Sequence, residues 1–148
     1  MPPVTRRSAP GTNDFSPLLH LDLDRFKLIN DAVGHDAGDE VLKIVVERIQ
    51  QRVRESDTVA RIGGDEFTVV LPRIADRLDA GMVAGKIIDA LSSSSYSSRR
   101  KQEVRLGASI GIAIFPGDAE DPDALVRAAD AAMYAAKRTR NTFQFGKA

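Results

Sequence analysis

The sequence predicts an α/β domain of the α+β kind, a central β-sheet with helices packed on it. Three observations carry that expectation. Runs in which apolar residues alternate, the mark of a half-buried strand, interleave with segments whose apolar residues recur at the helical period. Two of the strand-like runs, residues 58–62 and 67–71, are joined by Gly63, Gly64, Asp65 and Glu66, and a glycine pair in that position signals a tight β-turn. The length of 148 residues, 43% hydrophobic and 28% charged, suits one domain able to bury its own core.

Taken in order, residues 1–17 hold Pro2, Pro3, Pro10, Gly11 and Pro17 with no apolar period, so they read as a flexible leader ahead of a domain over 18–148. Residues 18–24 alternate as a strand, with Leu19, Leu21 and Leu23 on one face and His20, Asp22 and Asp24 on the other. The stretch Asp24-Arg25-Phe26-Lys27 leaves that strand for a loop or helical turn. Over residues 38–54, Val41, Val45, Ile49 and Val53 form an amphipathic stripe, and Glu47, Arg48 and Arg52 mark the polar face. Residues 76–91 make a second helical candidate, weakened by Gly81 and Gly85, and Ser92 to Ser98 reads as a low-complexity loop. Residues 104–115 alternate Ala108, Ile110, Ile112 and Ile114 with Gly107, Ser109, Gly111 and Ala113, a strand whose small face suits close helix packing. Asp121 and Pro122 then supply an N-cap and a preset first helical residue, and Leu125, Ala129, Ala132 and Ala136 form the buried stripe. Lys137, Arg138 and Arg140 sit at the favourable pole of that helix, and residues 142–145 make a last short strand.

Composition removes several classes of function. Lys+Arg and Asp+Glu are 21 each, so the chain lacks the basic excess expected of a protein whose partner is a nucleic-acid polymer. With no Cys and only His20 and His35, thiol nucleophiles and Cys/His zinc cages are out, while carboxylate-held hard cations stay open. No apolar run is long enough for a membrane span and none at the start resembles a secretory signal, so a cytoplasmic location is expected.

The chemistry therefore rests with Asp, Glu, Lys and backbone. Asp22 and Asp24 end the first strand, and Asp65 and Glu66 occupy the hairpin tip. Should the two elements be sheet neighbours, Asp22 and Asp65 would come within the span of a hard cation such as Mg²⁺, which takes one or two carboxylates together with substrate phosphates. Free backbone N–H groups after Asp24, with Lys27, could cradle phosphate beside it. Asn30 and Asp39, an amide and a carboxylate, can read the edge of a guanine. Singly, each of these residues is equally an ordinary cap, core or surface residue.

Together they resemble a known family. The runs Asp22-Leu23-Asp24-Arg25-Phe26-Lys27-Leu28-Ile29-Asn30-Asp31, Gly34-His35-Asp36-Ala37-Gly38-Asp39 and Arg61-Ile62-Gly63-Gly64-Asp65-Glu66-Phe67 are similar to the GGDEF family of diguanylate cyclases. So are Ser109-Ile110-Gly111-Ile112-Ala113 and the run from Ala129 to Lys137. The resemblance implies a nucleotidyl-cyclase-like fold, a mostly antiparallel sheet with the signature on a β-hairpin. It also implies a two-fold homodimer that condenses two GTP into cyclic di-GMP and releases two pyrophosphates. On that resemblance Asp22, the Leu23 carbonyl and Asp65 hold Mg²⁺ or Mn²⁺, and Asp65 helps to deprotonate the attacking 3′ hydroxyl. Glu66 supports the signature turn, and Asn30 and Asp39 read guanine. The backbone of Asp24, Arg25 and Phe26, with Lys27, Gly63, Gly64, Lys137 and Arg140, contacts the rest of the substrate.

Arg54-Glu55-Ser56-Asp57 resembles the family's RxxD inhibitory site, at which Arg54 and Asp57 would bind the product. Two departures bear on turnover rather than on fold. The D-x-L-T-G-L-x-N-R segment that usually comes first is replaced by the Pro-rich leader. The usual K-x-x-G-R-N reads Lys137-Arg138-Thr139-Arg140-Asn141, without its Gly. These leave two alternatives to the cyclase: an inactive GTP-binding regulatory domain, or a cyclic di-GMP receptor acting through Arg54 and Asp57. The ending Asn141-Thr142-Phe143-Gln144-Phe145 resembles the junction into an EAL phosphodiesterase domain, so a longer chain with EAL and sensory domains is expected.

Overall fold

The computed structural model describes residues 15–92, 96–97, 103–104 and 106–146. The expected flexible leader falls mostly on residues 1–14, which lie outside the described residues, as do Ser93, Ser94, Ser95 and Ser98 of the expected serine loop. In chain order the elements are β1 (Ser16–Asp24), α1 (Phe26–Val33), α2 (His35–Gln50), β2 (Thr58–Gly63), β3 (Glu66–Val70) and α3 (Arg77–Ser92). There follow β4 (Tyr96–Ser97), β5 (Glu103–Val104), β6 (Gly107–Phe115), α4 (Pro122–Lys137) and β7 (Thr142–Phe145). Strands β4 and β5 pair as a small separate ribbon, β4 within the expected serine loop and β5 taking in Val104, from which the long strand was expected to run although it begins at Gly107.

The main sheet runs β2-β3-β1-β6-β7, and every neighbouring pair is antiparallel except β6 with β7. The expected mostly antiparallel sheet with helices around it is therefore the observed one. Its central strand β1 separates two packed layers. Leu19, Leu21 and Leu23 point into the larger core with Val45 and Ile49 of α2, Ile87 and Leu91 of α3, and Ile110 and Ile112 of β6. On the opposite face α4 lies close against β6, with Ala129 packed on Leu18 and Ala113. Gly111 sets that approach: a Cβ there would run into the backbone oxygen of Ala129 and the backbone nitrogen of Met133. The small face read from β6 is thus the seat of α4.

Several boundaries move for identifiable reasons. Strand β1 starts at Ser16, two residues before the sequence expectation, and Phe15 already bridges Ile74. Pro17 reads as a breaker, but its carbonyl accepts from the Leu71 amide at 3.0 Å, and proline is tolerated near a strand's start. The stretch after Asp24 is a complete helix, α1, burying Phe26 and half-burying Ile29. Its 8 residues are too few for a period to show. Gly34, at φ 91°, then breaks the path, and its N–H donates to the Asn30 carbonyl. Helix α4 begins as expected, with the Asp121 carboxylate accepting from the Ala124 amide at 2.8 Å.

A buried Asp118 fastens the turn before α4. It accepts from the Ile114 amide at 2.9 Å and pairs with Arg77 at the start of α3. Among the described residues no helix is long and apolar enough to cross a membrane.

Candidate active site

Strand alternation puts His20, Asp22 and Asp24 of β1 on the α4 face of the sheet. The antiparallel register sets Asp22 opposite Glu66 of β3, so the hairpin tip comes to the end of β1. Gly64, at φ 51°, makes the turn possible, and the Arg61 Nε donates to its carbonyl at 3.0 Å. The Leu23 amide donates to the Asp65 carbonyl at 3.1 Å, fixing the tip against β1. The outcome is a cluster of Asp22, Asp65 and Glu66 whose carboxylate oxygens lie within 4.8 Å of one another.

The charges in this cluster do not balance. Lys137, the last residue of α4, places its Nζ 2.7 Å from Asp22 Oδ2. That bond is the chief reason the Lys137 ammonium holds its proton above the ordinary range. Asp22 is nevertheless pushed above its usual 3.8: burial dominates, and the negative charges of Asp65 and Glu66 add to it against the pull of Lys137. Its other oxygen, Oδ1, is buried with no hydrogen-bond partner among the described residues. Three carboxylates, one of them carrying an orphaned buried oxygen, form an all-oxygen donor set that suits a hard divalent cation.

Two flanking groups brace the cluster. His20 is buried, and its Nε2 lies 3.0 Å from Glu66 Oε1 and 3.5 Å from Asp130 Oδ1 on α4. Asp24 accepts from the Ser109 hydroxyl at 2.6 Å and from the Asn141 amide at 2.8 Å, while the Ala108 amide donates to Asn141 Oδ1 at 3.4 Å. The Asp24 carboxylate is therefore taken up by the scaffold. Phe26 likewise spends its ring in the core.

Around this centre the other expected residues fall into two groups. Arg25, in the left-handed region at φ 59°, turns the chain into α1, whose first N–H groups have no intrahelical acceptor; Lys27 is exposed there. The Asn30 side chain lies against Gly38, next to the exposed Asp39, so the packing of α1 on α2 brings the two proposed guanine readers together. Beside the hairpin, nothing lies within 4 Å of where a Cβ of Gly63 or Gly64 would stand, which leaves bare backbone open to a ligand. Arg140 is exposed in the turn after α4. Without the family's glycine, both Arg140 and Asn141 take left-handed backbone, at φ 67° and 51°.

Arg54 and Asp57 stand apart from the cluster, before β2, whose 6 residues span roughly 20 Å to the hairpin tip. Arg54 donates to Asp57 Oδ1 at 3.1 Å and to the Pro72 carbonyl at 2.9 Å, beside a surface pocket of about 390 Å³ lined by Gln50, Val53, Glu55 and Val59. Sequence reasoning missed His20 and Asp130. The only signal for His20 was its place two residues before Asp22 on the same strand face, and Asp130 had none without the crossing of α4.

Comparison with known proteins agrees with this fold. The profile of the family described as "Diguanylate cyclase, GGDEF domain" matches residues 7–142. The chain is 48% identical over 129 residues to the bifunctional diguanylate cyclase/cyclic di-GMP phosphodiesterase MucR of Pseudomonas aeruginosa; the match covers 86% of this chain and 18% of MucR, so the chain spans under a fifth of that relative. Among solved structures, the GGDEF domain of YfiN (TpbB) from Pseudomonas aeruginosa superposes with a TM-score of 0.87 at 42% identity, covering 91% of this chain and 84% of that one. The GGDEF domain of DgcB from Caulobacter crescentus, solved in complex with c-di-GMP, gives a TM-score of 0.82 at 30% identity over 89% of this chain and 78% of its own. A profile match over nearly the whole of the described fold leaves one assignment: this chain belongs to the GGDEF family of diguanylate cyclase domains.

Proposed function

We propose that this chain is a diguanylate cyclase domain that condenses two GTP into cyclic di-GMP across a two-fold homodimer. The observation that carries the reading is the meeting of Asp22, Asp65 and Glu66 beside the open backbone of Gly63 and Gly64, next to the start of α1. In this reading Asn30 and Asp39 hold the guanine. The first N–H groups of α1 and the Lys27 ammonium take the phosphates, with Lys137 and Arg140 reaching them from the end of α4. A divalent ion, Mg²⁺ or Mn²⁺, held by Asp22, Asp65 and the Leu23 carbonyl would screen the triphosphate and polarise the reacting phosphate. Asp65 accepts the proton of the attacking 3′ hydroxyl, while Glu66, the third carboxylate of the cluster, would complete the ion's donor set and keeps the tip in register.

For each nucleotide one bond forms, from the 3′ oxygen of one GTP to the α-phosphorus of the other, and one α–β bridging bond breaks to release pyrophosphate. Two such exchanges close the ring, so two half-sites must face each other. Acting on GTP, the domain belongs in the cytoplasm, and sensory or EAL domains joined to it would set when two copies meet.

The test is chromatography of GTP incubated with Mg²⁺ and protein, beside Asp65→Asn. Cyclic di-GMP made by the wild type and reduced at least 100-fold in the variant is the expected result. GTP bound without product would replace the enzyme by a regulatory nucleotide-binding domain.

A second reading is favoured by the pocket at Arg54. A guanidinium and a carboxylate beside a surface pocket suit a guanine nucleotide, which makes the product itself a ligand there. Calorimetry with cyclic di-GMP should lose this binding in Arg54→Ala while GTP binding survives.

A further inference from the structure

We propose that His20 is a positioning residue for the acidic cluster: its Nε2–H holds the Glu66 carboxylate toward Asp22 and Asp65 and ties that geometry to Asp130 on α4. The proposal rests on reading the cluster as a divalent-cation site.

The three carboxylates are fixed in different ways. Asp22 is buried on the central strand, so its place is set by packing. Asp65 has a short side chain on a tight turn, and the Leu23 amide anchors its backbone. Glu66 is the longest of the three, and its side chain is 43% exposed, so neither packing nor backbone determines where its carboxylate points. Among the described residues, the one side-chain bond that restrains it comes from His20, at 3.0 Å.

His20 is itself well placed to impose that restraint. It is buried on the central strand two residues before Asp22, on the same face, and Glu66 stands opposite Asp22 in the register. Both groups facing Nε2 are carboxylates, which accept hydrogen bonds, so Nε2 is the nitrogen that bears the hydrogen. One hydrogen faces two acceptors, and the nearer, Glu66, takes it; Asp130 at 3.5 Å keeps the ring aligned from the helix side. Carboxylates that ligate metals characteristically receive hydrogen bonds of this kind, and loss of such a partner typically weakens metal binding roughly 10- to 100-fold. A histidine serving only to satisfy its own buried nitrogen would lower stability when replaced and leave cation affinity unchanged.

The experiment is a Mn²⁺ titration of the purified chain followed by the electron paramagnetic resonance signal of the free ion, with thermal melts of every variant. His20→Leu should weaken Mn²⁺ binding about 10-fold. His20→Gln, whose amide can still donate to Glu66, should recover most of that loss. Glu66→Gln should weaken binding to a similar extent, and the double variant His20→Leu/Glu66→Gln no further, because the two residues act through one contact. If the leucine variant does not fold, His20→Asn, polar but too short to reach Glu66, takes its place. Wild-type affinity in a folded His20→Leu or His20→Asn, or additive losses in the double variant, would overturn the positioning role. Absence of Mn²⁺ binding by the wild type, or binding unaffected by Asp22→Asn, would instead overturn the cation site, and the role of His20 with it.

Discussion

Asp22 is held where its ionised form works against folding. Burial and two neighbouring carboxylates raise its pKa above 3.8, so the folded chain binds that proton more tightly than the unfolded chain does. Stability therefore declines as pH rises through the titration of this carboxyl and remains lowered at neutrality. Asp22→Asn should hold the melting temperature, or raise it by roughly 2–5 °C, without added divalent ions. It should also abolish any rise in melting temperature on adding Mn²⁺, a pair of results that differential scanning calorimetry can record together. Lys137 loses its partner in that variant, but its side chain is 38% exposed and water replaces the bond at little cost. The residues of this cluster were legible in sequence because strand alternation and a glycine turn are local patterns. The partner of His20 was not legible: Glu66 and Asp130 are distant in sequence, and only the β1·β3 register and the crossing of α4 bring them to it.

At the scale of elements, α4 governs the site. It touches the acidic cluster through Lys137 and braces it through His20 by way of Asp130, two turns away on the same helix. Its height above the sheet is set at Gly111. Gly111→Ala should therefore destabilise the domain by about 3 kcal/mol, read from the urea midpoint, because a methyl group must displace helix backbone rather than a flexible side chain. The variant should lose nucleotide affinity as well, since both contacts from α4 move together. The turn just past Lys137, at the C-terminal end of α4, stores a smaller strain. Two successive left-handed residues, Arg140 and Asn141, close the helix where a glycine would do so freely, and Arg140→Gly should add about 1 kcal/mol of stability. Strands and long helices were readable from apolar periods. Helix α1 was not, since it is barely two turns long, and the start of β1 was hidden by Pro17, whose missing N–H looks like a stop although its carbonyl pairs.

On the proposed function, the whole molecule presents half of a reaction. The cluster sits at one end of a sheet with its glycine backbone facing outward, and the proposed chemistry needs two nucleotides brought face to face. Product formation should consequently rise with nearly the square of protein concentration when copies are mostly separate, and become linear once they are paired; sedimentation at the same concentrations should show the matching change in mass. The pocket at Arg54 lies at the opposite end of β2 from that cluster, so a ligand bound there would have to act through the packing of two copies or through the hairpin rather than by filling the acidic site. The same topology also bears on synthesis. Strand β1 is the middle of the sheet, yet one of its two neighbours, Gly107–Phe115, comes near the end of the fold. At ordinary ribosomal speeds of 5–20 residues per second, roughly 5 to 18 s separate the appearance of Asp24 from that of Phe115. Throughout that interval one edge of β1 stays unpaired even though α2, β3 and α3 can already cover Leu19, Leu21 and Leu23, so the nascent chain carries an open strand edge until Phe115 is made.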